Sequence, residues 1–467
     1  FMTGTDEHGT KIEKTARDQN KEPGLYVDEM VPQFRGLWEV LGISSDYFIR
    51  TTDKDHKQAV QNVLKKLEAD GEIYKATYTG WYCIPCESFW PRMQLVEGKC
   101  PDCHRPVQEL SEDNYFFRLS KYQQWLIEYI ETHPQFVIPE IRRNEILGFL
   151  RQPLEDLCIT RPRKRLSWGI DYPSSPDHVV YVWFDALLNY VTGVGLTLDQ
   201  NKFDTFWPAD VHVVGKDILR QHAVYWPIML KACGVAMPET VLAHGWWTIG
   251  GAKVSKSRGN IVDPFELVKI YGIDAFRYFL LKEVTVGFDG TYSEDLLRER
   301  YMSDLANDLG NLWFRLASML DKYFNGRIPD GVEPDRTGSL LAKTFHLWEK
   351  VHESMLQYDP RDALSQIWEV VTRANQFVEE NKPWVLAKDP SRSGDLAKVL
   401  VTLAECVAHL AVLLLSFLPH TASQILTRLR LPCDFVIRDA AEFDQRFVRP
   451  NTAVDRGEVL FPRLEDR

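Results

Sequence analysis

Three short β-branched runs constrain this chain most: Val179 to Phe184, Val211 to Val214 and Val241 to Ala243 each lead toward a stretch of helical period. Strands that alternate with helices build a parallel sheet, because parallel neighbours need a crossover and a helix supplies it. The pattern predicts the second half of a doubly wound α/β sheet, with its active site at the carboxyl ends of the strands. Residues 1 to about 75 read as the first half, with helical stretches at Asp28 to Leu41 and Asp55 to Ala69. Residues 76–178 are turn-rich and read as an insertion. Beyond about residue 300 the period is almost wholly helical, from Leu296 to Phe324, Ser339 to Tyr358, Pro360 to Asn381, Asp395 to Leu418 and Thr421 to Leu429, which predicts a helical bundle. The expected division is therefore 1–75, 76–178, 179–250, a loop region at 251–300, and 301–467.

Inside the insertion, Cys83-Ile-Pro-Cys86 and Cys100-Pro-Asp-Cys103 form two Cys-x-x-Cys pairs separated by thirteen residues. Two tight turns of this kind bring four thiolates around one zinc, and four protein ligands leave no open position, so the ion is read as structural. Cys158, Cys233, Cys406 and Cys433 lack such spacing and are read as core residues. The chain carries 55 basic and 66 acidic side chains, a net charge of −11, which excludes wholesale electrostatic wrapping of nucleic acid and leaves only local contacts. The apolar run Ala411 to Leu418 is too short to span a membrane, and no membrane partner is expected. At 467 residues, two or three domains are expected.

Several segments carry chemistry. Gly251-Ala252-Lys253-Val254-Ser255-Lys256-Ser257-Arg258-Gly259-Asn260 puts lysines, serines and glycines together. It reads either as a solvated loop or as a phosphate clamp, in which Lys253 and Lys256 follow charge onto a leaving pyrophosphate. Ile218, His222 and Trp226 recur at i, i+4 and i+8, and Trp183, Leu187 and Tyr190 at i, i+4 and i+7. Such stripes are ordinary amphipathic core or the walls of a slender apolar pocket, and their aromatic rings suit a thioether. Asp6 in Gly4-Thr5-Asp6-Glu7-His8-Gly9, and Asp217 ahead of His222, read as helix caps or as ligand-binding carboxylates. Asn311 and Arg315 project together from one helix and Trp384 opens another; they form a solvated face and a core residue, or a reader of single-stranded bases. The run Arg161-Pro-Arg163-Lys164-Arg165 reads as a charged loop rather than as a contact for an RNA end.

Together these residues resemble the methionyl-tRNA synthetases of class I, whose KMSKS loop matches Lys253 to Ser257 with Val254 where methionine is usual. The resemblance runs over nearly the whole chain and implies a Rossmann-like catalytic domain with a zinc-knuckle insertion, followed by an all-α anticodon-binding bundle. It implies L-methionine bound by Asp6, Trp183, Leu187, Tyr190, Ile218, His222 and Trp226. ATP, entering with Mg2+, would meet Asp217 at the ribose, His244 and Gly245 near adenine, and Lys253, Val254, Ser255, Lys256 and Ser257 at the phosphates. The anticodon of tRNA(Met) would be read by Asn311, Arg315 and Trp384, and zinc held by Cys83, Cys86, Cys100 and Cys103. None of the twelve histidines lies in the His-x-Gly-His signature of the class, whose place in the family is upstream of Phe1, and an incomplete chain is expected. A cytoplasmic monomer is expected. The alternatives are a non-catalytic synthetase-like protein that binds tRNA, and another class I synthetase. A leucine, isoleucine or valine enzyme needs a large editing insertion, for which roughly a hundred residues between the half-sheets leave no room.

Overall fold

The protein is described by a computed structural model covering residues 1–464, apart from 86, 87, 91, 102, 250, 251 and 254–261. Cys86, Val254, Ser255, Lys256 and Ser257 thus lie outside the described residues. The chain forms two compact units: Phe1–Glu39 with Ile43–Gly245, and Val40–Gly42 with Trp246–Arg467.

The first unit carries two parallel ladders. Met2–Thr5 pairs with Tyr47–Arg50. This approach is so close that a Cβ on Gly4 would fall 1.9 Å from the carbonyl oxygen of Ile49, so glycine is required there. Val211–Gly215 pairs with Thr240–His244, which in turn pairs with Val137–Ile138. The third strand of this ladder thus comes from within 76–178. The expected strand at Val179 to Phe184 is corrected: only His178–Val180 is extended, and it pairs antiparallel with Thr160–Pro162. The backbone turns at Tyr181, and Trp183 lies in the first turn of the helix Val182–Thr192. Hydrophobic side chains mark both a buried strand and a buried helix start, so composition alone ran them together.

The turn-rich stretch is a sheet ordered Ser88–Trp90, Ile73–Cys83, Gln108–Phe117 and Leu157–Cys158, all antiparallel. The helix Lys54–Ala69 packs its buried Val60, Val63, Leu64 and Leu67 into the same core as Leu187, Leu188 and Trp226. Arg161 is another correction. It is buried, donates to the Cys158 and Thr160 carbonyls, and lies 4.3 Å from the Tyr181 ring centroid. Arg165 lies 4.4 Å from the Tyr82 ring centroid and pairs with Glu112 at 2.9 Å. Guanidinium planes settle on aromatic faces, so a basic run need not be a solvated loop.

In the second unit, Trp247–Ile249 pairs with Gly290–Thr291 and with Ala252–Lys253. Beyond them the chain is helical. Glu294–Arg300 and Asn311–Phe324 are joined through a π-helical stretch, Tyr301–Gly310, and Pro360–Asn381 is unbroken. The stretch from Ser339 divides at His346 into two helices. The helix Ser393–Leu414 is the bundle's centre. The segment Pro390–Leu414 is long and apolar enough to cross a membrane, but its most apolar window is 89% buried, as a core helix requires. Cys158 and Cys406 are buried as expected, whereas Cys233 is half-buried and Cys433 is exposed.

Candidate active site

The aromatic stripes meet. Tyr190, near the end of the helix Val182–Thr192, donates its hydroxyl proton to His222 Nε2 at 2.7 Å. The His222 Nδ1–H donates to the Ile218 carbonyl at 2.8 Å, which leaves Nε2 as the acceptor and makes the imidazole neutral. Burial pushes the His222 pKa down to about 4. Behind this pair, the His212 ring lies tilted against Tyr190 at 4.2 Å and accepts from the Trp226 indole N–H at 3.2 Å. Burial and the neighbouring His222 push His212 down to about 3. Trp183 stands edge-on to His222 at 6.4 Å. Burial, and then the charge of the Asp6 carboxylate, push the Tyr190 hydroxyl well above its usual value.

The local fold explains these meetings and corrects two readings. The segment from Lys216 is not one α-helix. A short 3-10 turn, Lys216–Ile218, gives way to a π-helical turn at Gln221–Tyr225 and then to Trp226–Cys233. The wider turn lets His222 reach the Ile218 carbonyl and Tyr190 together, as π-bulges commonly do at functional sites. Of the expected pocket wall, Trp183, Tyr190 and Ile218 are half-exposed, Leu187 and His222 are buried, and Trp226 is wholly buried behind Tyr190. Asp6 is not a helix cap: the helix Thr10–Asp18 starts at Gly9, with no side-chain cap. Asp217 does not cap either, since both helical turns around it begin without side-chain caps.

Asp217 and His244 come together at the carboxyl ends of the two paired strands. Gly215 is in register with His244, and a Cβ on Gly215 would meet Asp217 Oδ1 at 2.7 Å and His244 Cε1 at 3.8 Å. Both side chains are exposed, and Gly245 beside them is buried. A sheet edge of this kind, lined by a carboxylate and an imidazole, presents polar groups to a ligand where α/β folds bind theirs.

The thiols of Cys83, Cys100 and Cys103 converge, with their sulfur atoms all within 4.8 Å of one another. None of the three is in a disulfide. Three soft donors at this separation fit a tetrahedral metal ion, with one position left for a further ligand. In the second unit, the Arg315 guanidinium lies 5.8 Å from the Trp384 ring centroid and binds Glu379 at 2.6 Å. Trp384 is 38% exposed, which sets aside the core reading, and Asn311 is exposed one turn before Arg315.

The residue reading overlooked a buried trio, His8, His56 and Asp185. His8 Nδ1 and His56 Nε2 lie 2.6 and 2.8 Å from the two oxygens of Asp185. No single segment signals it, because its members lie 129 and 177 residues apart.

Comparison with known proteins agrees with this geometry. The family described as "tRNA synthetases class I (M)" matches residues 1–112 and 105–317, and "Anticodon-binding domain of tRNA ligase" matches 338–448. The methionine–tRNA ligase of Caldanaerobacter subterraneus subsp. tengcongensis is 48% identical over 467 residues, covering all of this chain and 73% of the relative. That of Thermotoga maritima is 42% identical over 472 residues, covering 100% and 74%. The crystal structure of Mycobacterium tuberculosis methionyl-tRNA synthetase bound by methionyl-adenylate superposes with a TM-score of 0.93 at 38% identity, over 99% of this chain and 92% of that one. With identity sustained over its full length, the fold and both matched families in agreement, the chain belongs to the methionine–tRNA ligases, the methionine branch of the class I aminoacyl-tRNA synthetases.

Proposed function

We propose that the chain activates L-methionine with ATP, giving methionyl-adenylate and pyrophosphate, and then passes the methionyl group to the 2′-hydroxyl of the terminal adenosine of tRNA(Met). The observation that carries this reading is the Tyr190–His222 hydrogen bond within its aromatic surround. The methionine side chain would lie against Trp183, Tyr190 and Ile218, with Leu187 and Trp226 supporting that wall from behind. A neutral His222 holds the Tyr190 hydroxyl at the far end without offering a charge, which suits an uncharged sulfur. Asp6 would accept the ammonium.

The methionine carboxylate would then attack the α-phosphorus in line while the protein positions the reactants and stabilises charge. Asp217 would bind the ribose hydroxyls and His244 with Gly245 would lie along adenine. Lys253 and Lys256 would neutralise the pyrophosphate as it leaves, with Val254, Ser255 and Ser257 completing the clamp; Mg2+ would enter with ATP. In the bundle, Trp384 would stack on one anticodon base while Asn311 and Arg315 read its neighbours. Cys83, Cys100 and Cys103, with Cys86, would hold a zinc ion that closes the small sheet and supplies no chemistry to the reaction. Protein synthesis consumes the product, and we place the chain in the cytoplasm on that ground, with an organelle matrix as the alternative.

Methionine-dependent exchange of pyrophosphate into ATP tests the reading. Exchange that requires methionine, and that leucine, isoleucine and valine do not replace, is expected. Binding of tRNA with no exchange would instead support a non-catalytic tRNA-binding protein.

A further inference from the structure

Asp6 directly precedes two locked residues. The buried Glu7 carboxylate accepts from Arg50 Nε and Nη2 at 2.7 and 2.9 Å. His8, also buried, donates from Nδ1–H to Asp185 Oδ2 at 2.6 Å. The other oxygen of Asp185 accepts from His56 Nε2–H at 2.8 Å, and His56 Nδ1 accepts from the Thr192 hydroxyl at 2.7 Å. Asp185 is wholly buried, and it belongs to the helix Val182–Thr192 that also carries Trp183 and Tyr190. One carboxylate therefore ties together the loop with Asp6, the helix with the pocket wall, and the helix Lys54–Ala69 that brings His56. Burial would push the Asp185 carboxyl up, but the two imidazoles hold it below its ordinary value, so it stays ionised. A buried carboxylate is costly unless its bonds are made, so these elements are held together as a set.

We propose that Asp185 is a positioning residue for methionine, fixing the separation between the ammonium site at Asp6 and the thioether site at Tyr190 and His222. The inference rests on the pocket reading above. Each rotamer of methionine fixes one separation between its ammonium and its sulfur, so a site shaped for one rotamer loses affinity when either end moves. ATP is held by other residues and should feel little of this.

The test is pyrophosphate exchange, with KM for methionine and for ATP measured separately, and melting temperature alongside. In Asp185→Asn the amide accepts from one imidazole and donates to the other only if that second imidazole changes tautomer. KM for methionine should rise about tenfold, with KM for ATP within about twofold and melting little changed. His8→Ala should show the same split, and His8→Asn, whose amide N–H lies near the place of Nδ1–H, should recover most of the loss. His222→Ala serves as the control for the pocket itself. If it raises the methionine KM while Asp185→Asn and His8→Ala do not, the positioning role is overturned and the pocket stands. Equal rises in both KM values for Asp185→Asn, or no recovery in His8→Asn, would also overturn it. If His222→Ala has no effect, the pocket reading fails and takes the positioning role with it.

Discussion

At the scale of single residues, two side chains separate adenylate formation from tRNA recognition. A loop ammonium acts mainly where charge develops, so Lys256→Ala should slow pyrophosphate exchange roughly a hundredfold, about 3 kcal/mol, with methionine affinity nearly intact. Pre-steady-state adenylate formation measures this, and equal rates would remove the loop from the mechanism. Trp384 is exposed and lies beside Arg315, so its truncation should leave melting almost unchanged. Stacking is worth about 1–3 kcal/mol per base, so Trp384→Ala should cut charging of tRNA roughly ten- to a hundredfold while exchange measured without tRNA holds. A parallel fall in charging, exchange and melting temperature would return Trp384 to a structural role. Trp384 and Arg315 could be grouped only through the resemblance, because by residue type alone they read as a core residue and a solvated face. The trio of His8, His56 and Asp185 was not legible, because only folding brings them together.

Elements set the second scale. The antiparallel sheet around Ile73–Cys83 has a minor cluster of its own, with Cys83, Trp90 and Cys100 buried and Leu95, Cys103 and Val107 packed against them. With so little apolar surface around these thiols, the cysteine end of the sheet should depend on a metal held there. Cys100→Ser with Cys103→Ser should reduce bound zinc from one equivalent to well under one, by metal analysis, and proteolysis should then open this region first. Full zinc retention would disprove the ligand set. The π-helical turn at Gln221–Tyr225 has a different dependence. His222 and His212 are held neutral by burial, with pKa values pushed down to about 4 and about 3 from an ordinary value of 6.5. Below pH 6.5 the unfolded chain takes up these protons first, so folding stability falls as pH drops toward about 4. The expected slope is about 1.4 kcal/mol per pH unit for each group in that window, and none above it. Denaturant melts between pH 7 and 4.5 measure it. His409, also pushed down to about 4 by burial, adds an equal share, so a His222→Gln variant should lose about one third of the dependence, and an unchanged slope would contradict the assignment.

Over the whole molecule, the net charge of −11 opposes a polyanion, so binding of tRNA must rest on local contacts. The logarithm of tRNA affinity against that of salt should have a shallow slope, corresponding to fewer than about five neutralised phosphates. Filter binding or anisotropy across a salt series reads the slope, and a steep one would point to an extended basic surface.

The order of β-branched runs and helical stretches, the paired Cys-x-x-Cys turns and the Lys/Ser/Gly loop were legible, since each is a local pattern of fixed spacing, and the class followed from the resemblance that the loop and the two aromatic stripes carry. The unbroken helix Pro360–Asn381 was legible for the same reason, its start marked by proline and its buried face by period. Other features depended on partners distant in the chain. Val179 and Val180 are extended in either reading, but only pairing with Thr160 and Arg161 decides that their ladder is antiparallel. Arg161 reads as solvated until Tyr181 supplies a face for it. Asp185 reads as one more helix residue until His8 and His56 enclose it. Spacing along the chain determines which chemistry is present and which elements carry it. Burial, tautomer and the joining of one element to another are settled by packing, because each depends on groups that sequence separation says nothing about.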